Sequence, residues 1–522
     1  MDGLNFVVIL RLENQCINKM KKLAVTTVIV AGTLLSSFSA SAQYRTKDAA
    51  ENAADTEVRT ILDEAEAAET PVIITLEQAL KIALSESVSV KVADMEIERT
   101  GFAKKGSYAA LFPQVDASGA YQRTIKKQVM YMDFDMSSLG GAMGGGAGEG
   151  GETELPDGVE IPEMDQESSS DGGGLEVGRW NTWSAGVTAA MPLVNAQLWK
   201  SISISGLDVE LAVEKARSSR LETVTQVKNA FFATLLAKEA FDVYKSVYEN
   251  AVSNYDEAKK KFDAEKISEM ELLRAKTTVA NAIPNVYNAE SSVILSLWQL
   301  KAIMGVDLDM NLDIAGQLED FAEHMLYDVN QHEDVDLDRN TTMKQLAIQS
   351  EMLAETIKLQ KYANIPSLAL AFNFSMNAMT NDFNFSEYRW TPYSYVGLSL
   401  NIPIFAGGKR YQAIRQAKNQ YQQVQLQTEN TERQLKIAIR QSLTTMETNM
   451  KSYYAAQDAV ASAEKGYSIA EKAYQVGRST LIELNDAQLA LTQAQLAESQ
   501  AIYNFVVAKA QLEQTLGQDF IE

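Results

Sequence analysis

Two acidic residues, three positions apart, offer the clearest chemistry in this chain of 522 residues. Glu483 and Asp486 open an amphipathic segment directly after the non-helical stretch VGRST at residues 476–480. On a helix, residues at this spacing lie on one face. Carboxylates bind hard cations, and a ring of them in a narrow pore favours cations over anions. Such a pair is equally typical of a solvated helix face, so its meaning depends on the elements around it.

The composition excludes several other kinds of site. With 2 His and 1 Cys, the chain lacks the residues for a histidine-ligated metal centre or a Cys-His nucleophile. A net charge of −22 argues against nucleic acid as a partner, because phosphate binding requires clustered cationic residues. The sequence contains no nucleophile elbow, phosphate-binding loop or H-E-x-x-H motif. We therefore expect no catalytic residues, no enzyme activity, no metal and no cofactor.

The first 42 residues are typical of an exported protein. Lys21 and Lys22 precede an apolar stretch at residues 23–35, and small residues follow, ending at Ala42. This three-part pattern predicts a secretory signal peptide that is cleaved after Ala42. The apolar run is shorter than the roughly 20 residues that a membrane-spanning helix needs. Residues 1–19 are interpreted as an upstream extension.

An internal repeat explains where the two acids lie. The stretch that contains them, YQVGRSTLIELNDAQ (474–488), has a counterpart in FDAEKISEMELLRAK (262–276). Each is preceded by a helical pattern of about 70 residues, at roughly 196–263 and 407–476. Each is followed by an apolar seam with steps of three and four residues that ends at Gly305 or Gly517. A helix of that length extends about 100 Å, which indicates a rod or strut. Pro284 predicts a kink in the first seam.

Four other segments alternate apolar and polar residues, as strands of a transmembrane β-barrel do. They lie at about 115–131, 180–191, 367–377 and 393–403, and they pair around loops at 132–179 and 378–392. Aromatic residues at the loop ends of these strands predict a membrane interface: Trp180, Trp183, Trp390, Tyr393 and Tyr395. Aromatic packing in a soluble sheet is the alternative. Four strands do not close a barrel, so closure requires further copies of the chain.

Two passages resemble the TolC family of outer-membrane efflux proteins: NIPIFAGGKRYQAIRQAKNQY (401–421) and YQVGRSTLIELNDAQLALTQAQL (474–496). The similarity covers roughly residues 72–518. It implies a mainly α fold with a small β part. Three chains form a tube, in which an outer-membrane β-barrel with four strands per chain continues as a long periplasmic α-helical barrel. The implied function is a passive exit duct of a tripartite efflux or type I secretion system.

The resemblance also implies partners and site residues. The partners are two further copies in a homotrimer, outer-membrane lipid, a periplasmic adaptor and an inner-membrane pump, which selects a drug, metal or protein cargo. Glu483 and Asp486 match the carboxylates of the channel entrance constriction. The periplasmic tips that dock with the adaptor correspond to Tyr474, Gly477, Arg478, Ser479 and Glu271. The arginine that family members pair with the acidic tip position is out of register, because Ser479 takes its place.

The same resemblance divides the chain. Residues 43–71 form an N-terminal periplasmic segment, 72–305 the first repeat, 306–340 a linker and 341–518 the second repeat. A structural or adhesive coiled-coil protein of the cell surface is the alternative function. Long seams rich in alanine and glutamine suit that alternative, whereas alternating strands with aromatic ends do not.

Overall fold

The computed structural model describes residues 61, 71–130, 175–322, 325 and 337–518. The predicted leader, nearly all of the segment 43–71, most of the first loop and part of the linker lie outside these residues. The described chain is mainly helical with a small β part, as predicted. It divides into two compact units. The helical unit takes the described residues of Met1–Val92, Ser219–Asp336 and Ile437–Glu522, and the sheet unit takes those of Ala93–Ser218 and Leu337–Lys436.

The two long helices predicted from the repeat are confirmed. In chain order the helices are α1 Leu76–Glu86, α2 Val88–Ala109, α3 Ala196–Asp263, α4 Glu269–Met304, α5 Thr341–Tyr362, α6 Lys409–Gln475 and α7 Leu481–Leu516. Helices α3 and α6 match the patterns at 196–263 and 407–476. Helix α4 runs through Pro284, and the kink predicted there stays a prediction. None of the helices within the described ranges has the length and apolarity needed to cross a membrane.

Local chemistry explains where α4 and α7 begin and end. Ser268 and Thr480 are their N-caps, and the hydroxyl of each accepts a hydrogen bond from a backbone N–H in the first turn. Both helices end at a glycine with left-handed backbone, Gly305 at φ 79° and Gly517 at φ 69°. Glycine stops helices in this way because it lacks the Cβ that makes this conformation costly. The repeat in the sequence is therefore a repeat of complete helix-turn-helix hairpins.

The sheet unit contains four antiparallel strands that join both halves of the repeat. They are β2 Gln114–Arg123, β5 Asn181–Val194, β7 Ser367–Thr380 and β8 Thr391–Asn401, in the order β2-β5-β7-β8. Strands β5 and β7 pair over almost their whole length. The helical unit contributes a smaller parallel pair, β1 Val72–Ile74 with β6 Leu312–Ile314.

The predicted length of the strand at 115–131 is wrong. Strand β2 ends at Arg123, and β3 Gln128–Met130 pairs instead with β4 Leu175–Val177. The N–H of Thr124 donates to the carbonyl of Trp180 at 2.8 Å, directly beyond the last paired residues of β2 and β5. Arg123, the last residue of β2, and Lys127 beyond it fall at the odd-numbered positions that form the apolar face of β2, and they interrupt its alternation.

The register gives the four-stranded sheet two chemically different faces. Side chains alternate between faces along a strand, so each row of paired residues shares one face. The apolar face contains nine aromatic, aliphatic or small residues: Tyr121, Trp183, Ala378, Val187, Phe374, Phe372, Val396, Leu398 and Leu400. The polar face contains Asp116, Ser118, Thr188, Gly186, Asn373, Ser375, Tyr393 and Tyr395.

Candidate functional site

The two predicted turns meet in one small core, which we call the tip core. Its buried members come from all four hairpin helices: Ala258 of α3, Ala275 of α4, Tyr474 of α6, and Leu481 and Leu484 of α7. Ile267 of the first turn and Leu272 of α4 pack against this core. The sequence predicted each turn separately, and the fold brings them together because the apolar stripes of the four helices face one another.

Tyr474 is the central residue of the tip core. Its ring is buried, and Lys261 lies over it with Nζ at 4.2 Å from the ring centroid. The same Nζ donates to the Tyr474 carbonyl at 2.9 Å. The hydroxyl is buried and accepts or donates no hydrogen bond within the described chain. Burial raises the pKa of Tyr474, and the negative charges of Glu271 and Glu257 raise it further.

Lys261 is a site residue that the sequence analysis missed. It is one of two lysines in the last turn of α3, where cations commonly interact with the helix C-terminus. That ordinary role gave no signal of a contact with a residue more than two hundred positions away. A lysine over an aromatic ring, with a second bond to its backbone, links the first hairpin to the second.

The other predicted tip residues are more exposed. Gly477 has φ 76°, which favours glycine, and a Cβ there would meet no atom within 4 Å. Arg478 is exposed, and its N–H donates to the Ala473 carbonyl at 2.8 Å. Glu271 is half-buried beside Tyr474. Within the described chain no ion pair joins Glu271 to Arg478, so the altered register at Ser479 leaves the acidic position without that partner.

Glu483 takes part in the N-terminal cap of α7. Its carboxylate accepts hydrogen bonds from the Ser479 hydroxyl at 2.5 Å and from the Thr480 N–H at 2.9 Å. In return, the Glu483 N–H donates to the Thr480 hydroxyl at 3.3 Å, which completes a capping box. The bond from Ser479, followed by the bond from the Thr480 backbone, lowers the pKa of Glu483. Asp486 lies one turn further along and is exposed.

A groove of about 610 Å³ runs between the N-terminal parts of α4 and α7. Asn485 donates from Nδ2 to the Thr278 hydroxyl at 3.2 Å across it. Three apolar side chains in its lining are at least half exposed: Met270 at 61%, Leu273 at 54% and Ile482 at 50%. The groove has no signature in the sequence, because it depends on how the two hairpins pack side by side.

The loop ends of the strands form a second cluster, on the apolar face of the sheet. The ring centroids of Tyr121 and Trp183 are 4.4 Å apart, and those of Trp183 and Phe385 are 5.1 Å apart. The carbonyl of Asp382 accepts hydrogen bonds from Asn181, Thr380 and Tyr388 at 2.9–3.2 Å. These contacts hold the loop after β7 against the apolar face. A packed ring of aromatic residues at one end of the strands is compatible with the predicted membrane interface.

The five predicted interface aromatics do not share one face. Trp180 is partly exposed beneath Lys127, whose Nζ is 5.0 Å from the ring centroid, and Trp390 is also exposed. Tyr393 and Tyr395 lie on the polar face, opposite Ser375 and Asn373. The register therefore separates these two tyrosines from the apolar face of the sheet, and the membrane interface itself stays a prediction. The alternation in YSYVGLSLNI contained this signal, because Val396 and Leu398 are at even positions and the tyrosines at odd ones.

The described residues contain no cluster of three or more acidic, histidine or cysteine side chains that could hold a metal ion.

The family model for the outer membrane efflux protein matches residues 79–306 and 335–518. This chain belongs to the outer membrane efflux protein family. The resemblance to TolC-like proteins is therefore confirmed, and membership indicates an outer-membrane channel for efflux. Among curated proteins, none matches the efflux protein significantly.

Solved structures of other outer-membrane channels share the fold of the efflux protein. The CmeC outer membrane channel of Campylobacter jejuni is 17% identical, with a TM-score of 0.61, over 87% of this chain and 91% of that one. The outer membrane protein VceC of Vibrio cholerae is 14% identical, with a TM-score of 0.60, over 85% and 97%. The MtrE outer membrane channel of Neisseria gonorrhoeae is 16% identical, with a TM-score of 0.59, over 85% and 88%.

Proposed function

We propose that this efflux protein is a homotrimeric exit duct. In this proposal, three four-stranded sheets close into one barrel of about twelve strands in the outer membrane, and the helices continue as an α-helical barrel in the periplasm. The observation that carries the proposal is the sheet itself, which ends in the edge strands β2 and β8. Its apolar face is widely exposed in a single chain, with Val396 at 70%, Leu398 at 67% and Leu400 at 61%.

Physical chemistry favours closure with further copies. A sheet edge with free backbone N–H and C=O groups is not tolerated in lipid, and four strands are too few to close alone. Pairing β8 of one chain with β2 of the next satisfies both edges. It also turns the apolar face toward lipid and the polar face toward a water-filled lumen. The alternative, a cell-surface coiled-coil protein, gives no reason for the exposed apolar sheet.

We further propose that the helical tips dock with a periplasmic adaptor, which connects the duct to an inner-membrane pump of a tripartite efflux or type I secretion system. The groove between α4 and α7 supports this proposal, because it exposes Met270, Leu273 and Ile482 beside the turns. Exposed apolar residues that are surrounded by polar ones commonly mark protein-binding surfaces. The exposed tip residues Gly477 and Arg478 lie in the second of these turns.

Fractionation and single-channel recording test the duct. The protein should be extracted from outer membranes by detergent and not by salt, its mass in detergent should be that of a trimer, and it should conduct ions in planar bilayers. Extraction by salt, or a monomer that does not conduct, would contradict the proposal.

A matched pair of substitutions tests docking. Ile482→Glu places a charge in the groove, whereas Leu489→Glu places one on an equally exposed position of the same helix (50% and 56% exposed). We expect copurification of the adaptor to fall at least tenfold with Ile482→Glu and to persist with Leu489→Glu, and both variants should remain trimers. Equal copurification would remove the groove from the docking site.

A further inference from the structure

The polar face of the four-stranded sheet has an uneven chemistry. Two rows cross all four strands: Ser118, Gly186, Ser375 and Tyr393 form one, and Asp116, Thr188, Asn373 and Tyr395 form the next. The remaining positions on this face are small, amide, hydroxyl or thioether side chains. Within these four strands, Tyr393 and Tyr395 are therefore the aromatic residues of the polar face, and Asp116 is its charged residue.

Both tyrosine rings are accessible. Tyr393 is 62% exposed and Tyr395 46%, and their ring centroids are 5.7 Å apart. Their neighbours across the strands are small, with Ser375 beside Tyr393 and Asn373 beside Tyr395. The Tyr395 ring lies beside Gly397, where an added Cβ would be in ordinary contact with it at 3.8 Å. Asp116 is likewise exposed. Among the described residues, the ring contact recorded for each of these tyrosines is the one with the other.

We infer that Tyr393 and Tyr395 form a binding site for organic cations inside the lumen of the channel, and that Asp116 attracts these cations into the lumen. Aromatic faces attract cations through the ring quadrupole, and a carboxylate adds a direct charge attraction. The ligand class that fits both is an amine, protonated or quaternary, with an apolar group that can lie on a ring. This inference rests on the proposed closure of the barrel, which places the polar face inside.

Closure also places three copies of these residues around one lumen. Within one sheet, Asp116 and Tyr395 are three strand spacings apart, or roughly 14 Å. In a closed barrel β2 of one copy lies beside β8 of the next, and the tilt of the strands staggers the register between them. Each site would then be the tyrosine pair of one copy, and the three copies of Asp116 would add negative charge to the lumen that attracts the cation.

Cysteine substitution tests the placement of the tyrosines. The strands contain no cysteine, since the sole cysteine of the chain is Cys16. A positively charged thiosulfonate reagent should modify Tyr395→Cys in planar bilayers and lower the conductance, because the added group narrows the lumen. The adjacent Val396→Cys, on the apolar face, should show no change. Equal responses of the two variants, or no response of Tyr395→Cys, would overturn the inference.

Block by benzyltrimethylammonium tests binding. Substituting both tyrosines with serine should weaken the block about fivefold to tenfold, since two cation–π contacts are lost. Substituting both with phenylalanine keeps the rings and should change the block less than twofold. Asp116→Asn should weaken it severalfold. Tyr411→Ser, a similarly exposed tyrosine at 62% on α6, is the control and should behave like the parent.

The outcomes distinguish failure of the proposed duct from failure of the cation site. A parent protein that forms no conducting channel overturns the proposed duct and, with it, this site. A conducting channel whose block is the same in the parent and the double serine variant overturns the site alone. If that variant instead loses heat stability of the trimer with unchanged block, the rings serve to pack neighbouring copies together, and the binding inference is wrong.

Discussion

Glu483 shows how one carboxylate can serve a helix cap and a proposed channel entrance together. Its hydrogen bonds from Ser479 and Thr480 orient the carboxylate toward the start of α7. In a trimer, Glu483 and Asp486 would recur around one axis, where the walls of a narrow channel strengthen the field of the charges. Removing Glu483 therefore changes the charge of the entrance and the cap at the same time, and any test has to separate these two effects.

Replacing both Glu483 and Asp486 with alanine should reduce cation selectivity and weaken block by multivalent cations. Rings of carboxylates favour cations and bind multivalent ones through oxygen ligands. Planar bilayer recordings measure both properties. Thr480→Ala is the matched control, because it removes the hydroxyl of the cap, at a cost of about 1 kcal/mol, and leaves both charges in place. A double variant that conducts and is blocked like the parent would place the constriction elsewhere at the tips.

The lowered pKa of Glu483 predicts how the block depends on pH. A carboxylate whose pKa is depressed by folding stays ionised at pH values below its ordinary pKa of 4.5. The stability that its hydrogen bonds contribute is lost as the pH falls through the folded pKa. Ser479→Ala removes the main cause of the depression. We expect this variant to lose multivalent-cation block at a higher pH than the parent in an acid titration. Identical titration midpoints would show that Ser479 does not stabilise the charged form.

Lys261 should hold the two hairpins together at the tip. Lys261→Met keeps most of the apolar stem but removes the bond to the Tyr474 carbonyl and the contact with its ring. We expect local opening of the tip to become easier by about 1–2 kcal/mol, which corresponds to roughly tenfold faster hydrogen exchange around Tyr474. Lys266→Met, at an exposed position of the same turn, should leave the exchange unchanged. Equal protection in both variants would contradict this role.

At the scale of elements, the glycines that end or interrupt helices share a backbone conformation but differ in surroundings. Gly305 has φ 79° and Gly477 has φ 76°, so each favours glycine to a similar degree. A Cβ at Gly305 would lie 2.6 Å from the Glu86 carbonyl oxygen, where α1 ends, whereas a Cβ at Gly477 would meet open space. The end of α4 is therefore determined by packing against α1 as well as by φ.

This difference predicts unequal costs for the same substitution. Gly477→Ala should destabilise the protein by about 1–2 kcal/mol, through the left-handed backbone alone. Gly305→Ala should destabilise the protein by about 1–3 kcal/mol more than Gly477→Ala does, because backbone atoms must move to remove the overlap with the added Cβ. Thermal unfolding of the detergent-solubilised protein measures the order, and a Gly477→Ala variant that is the less stable of the two would refute it.

At the scale of the whole molecule, the pairing of β5 with β7 makes the two halves of the repeat one sheet. The short pair β3 and β4 flanks residues 131–174, which lie outside the described chain. Aromatic contacts and the Asp382 carbonyl hold the second loop onto the same end of the sheet. The described strands and contacts that support the proposed barrel lie outside residues 137–174.

Deleting residues 137–174 should leave the trimer intact. The deletion spares β3, β4 and every strand of the four-stranded sheet, so the edges that pair between copies are unchanged. Light scattering in detergent and resistance of the trimer to mild heating measure the outcome. Loss of the trimer would mean that this segment contributes to the barrel, and our strand boundaries would then need revision.

The sequence alone determined the features that depend on neighbouring residues. Helices α3 and α6, the turns after them and the terminal glycines follow from apolar spacing, caps and backbone preference, which act over a few positions. The alternating strands are predictable for the same reason. Alternation also predicts the face of Tyr393 and Tyr395. The prediction of a membrane interface rested on their aromatic character and did not take that face into account.

Tertiary structure alone decided which distant residues meet. The bond of Lys261 to Tyr474, the groove between α4 and α7, the division of the predicted strand 115–131 and the loop held by the Asp382 carbonyl all join segments far apart in the chain. No local preference encodes such contacts, because each depends on how whole helices and strands pack. The polar face, with its two tyrosines and one carboxylate, becomes a candidate site only when the register of four strands brings these residues onto one surface.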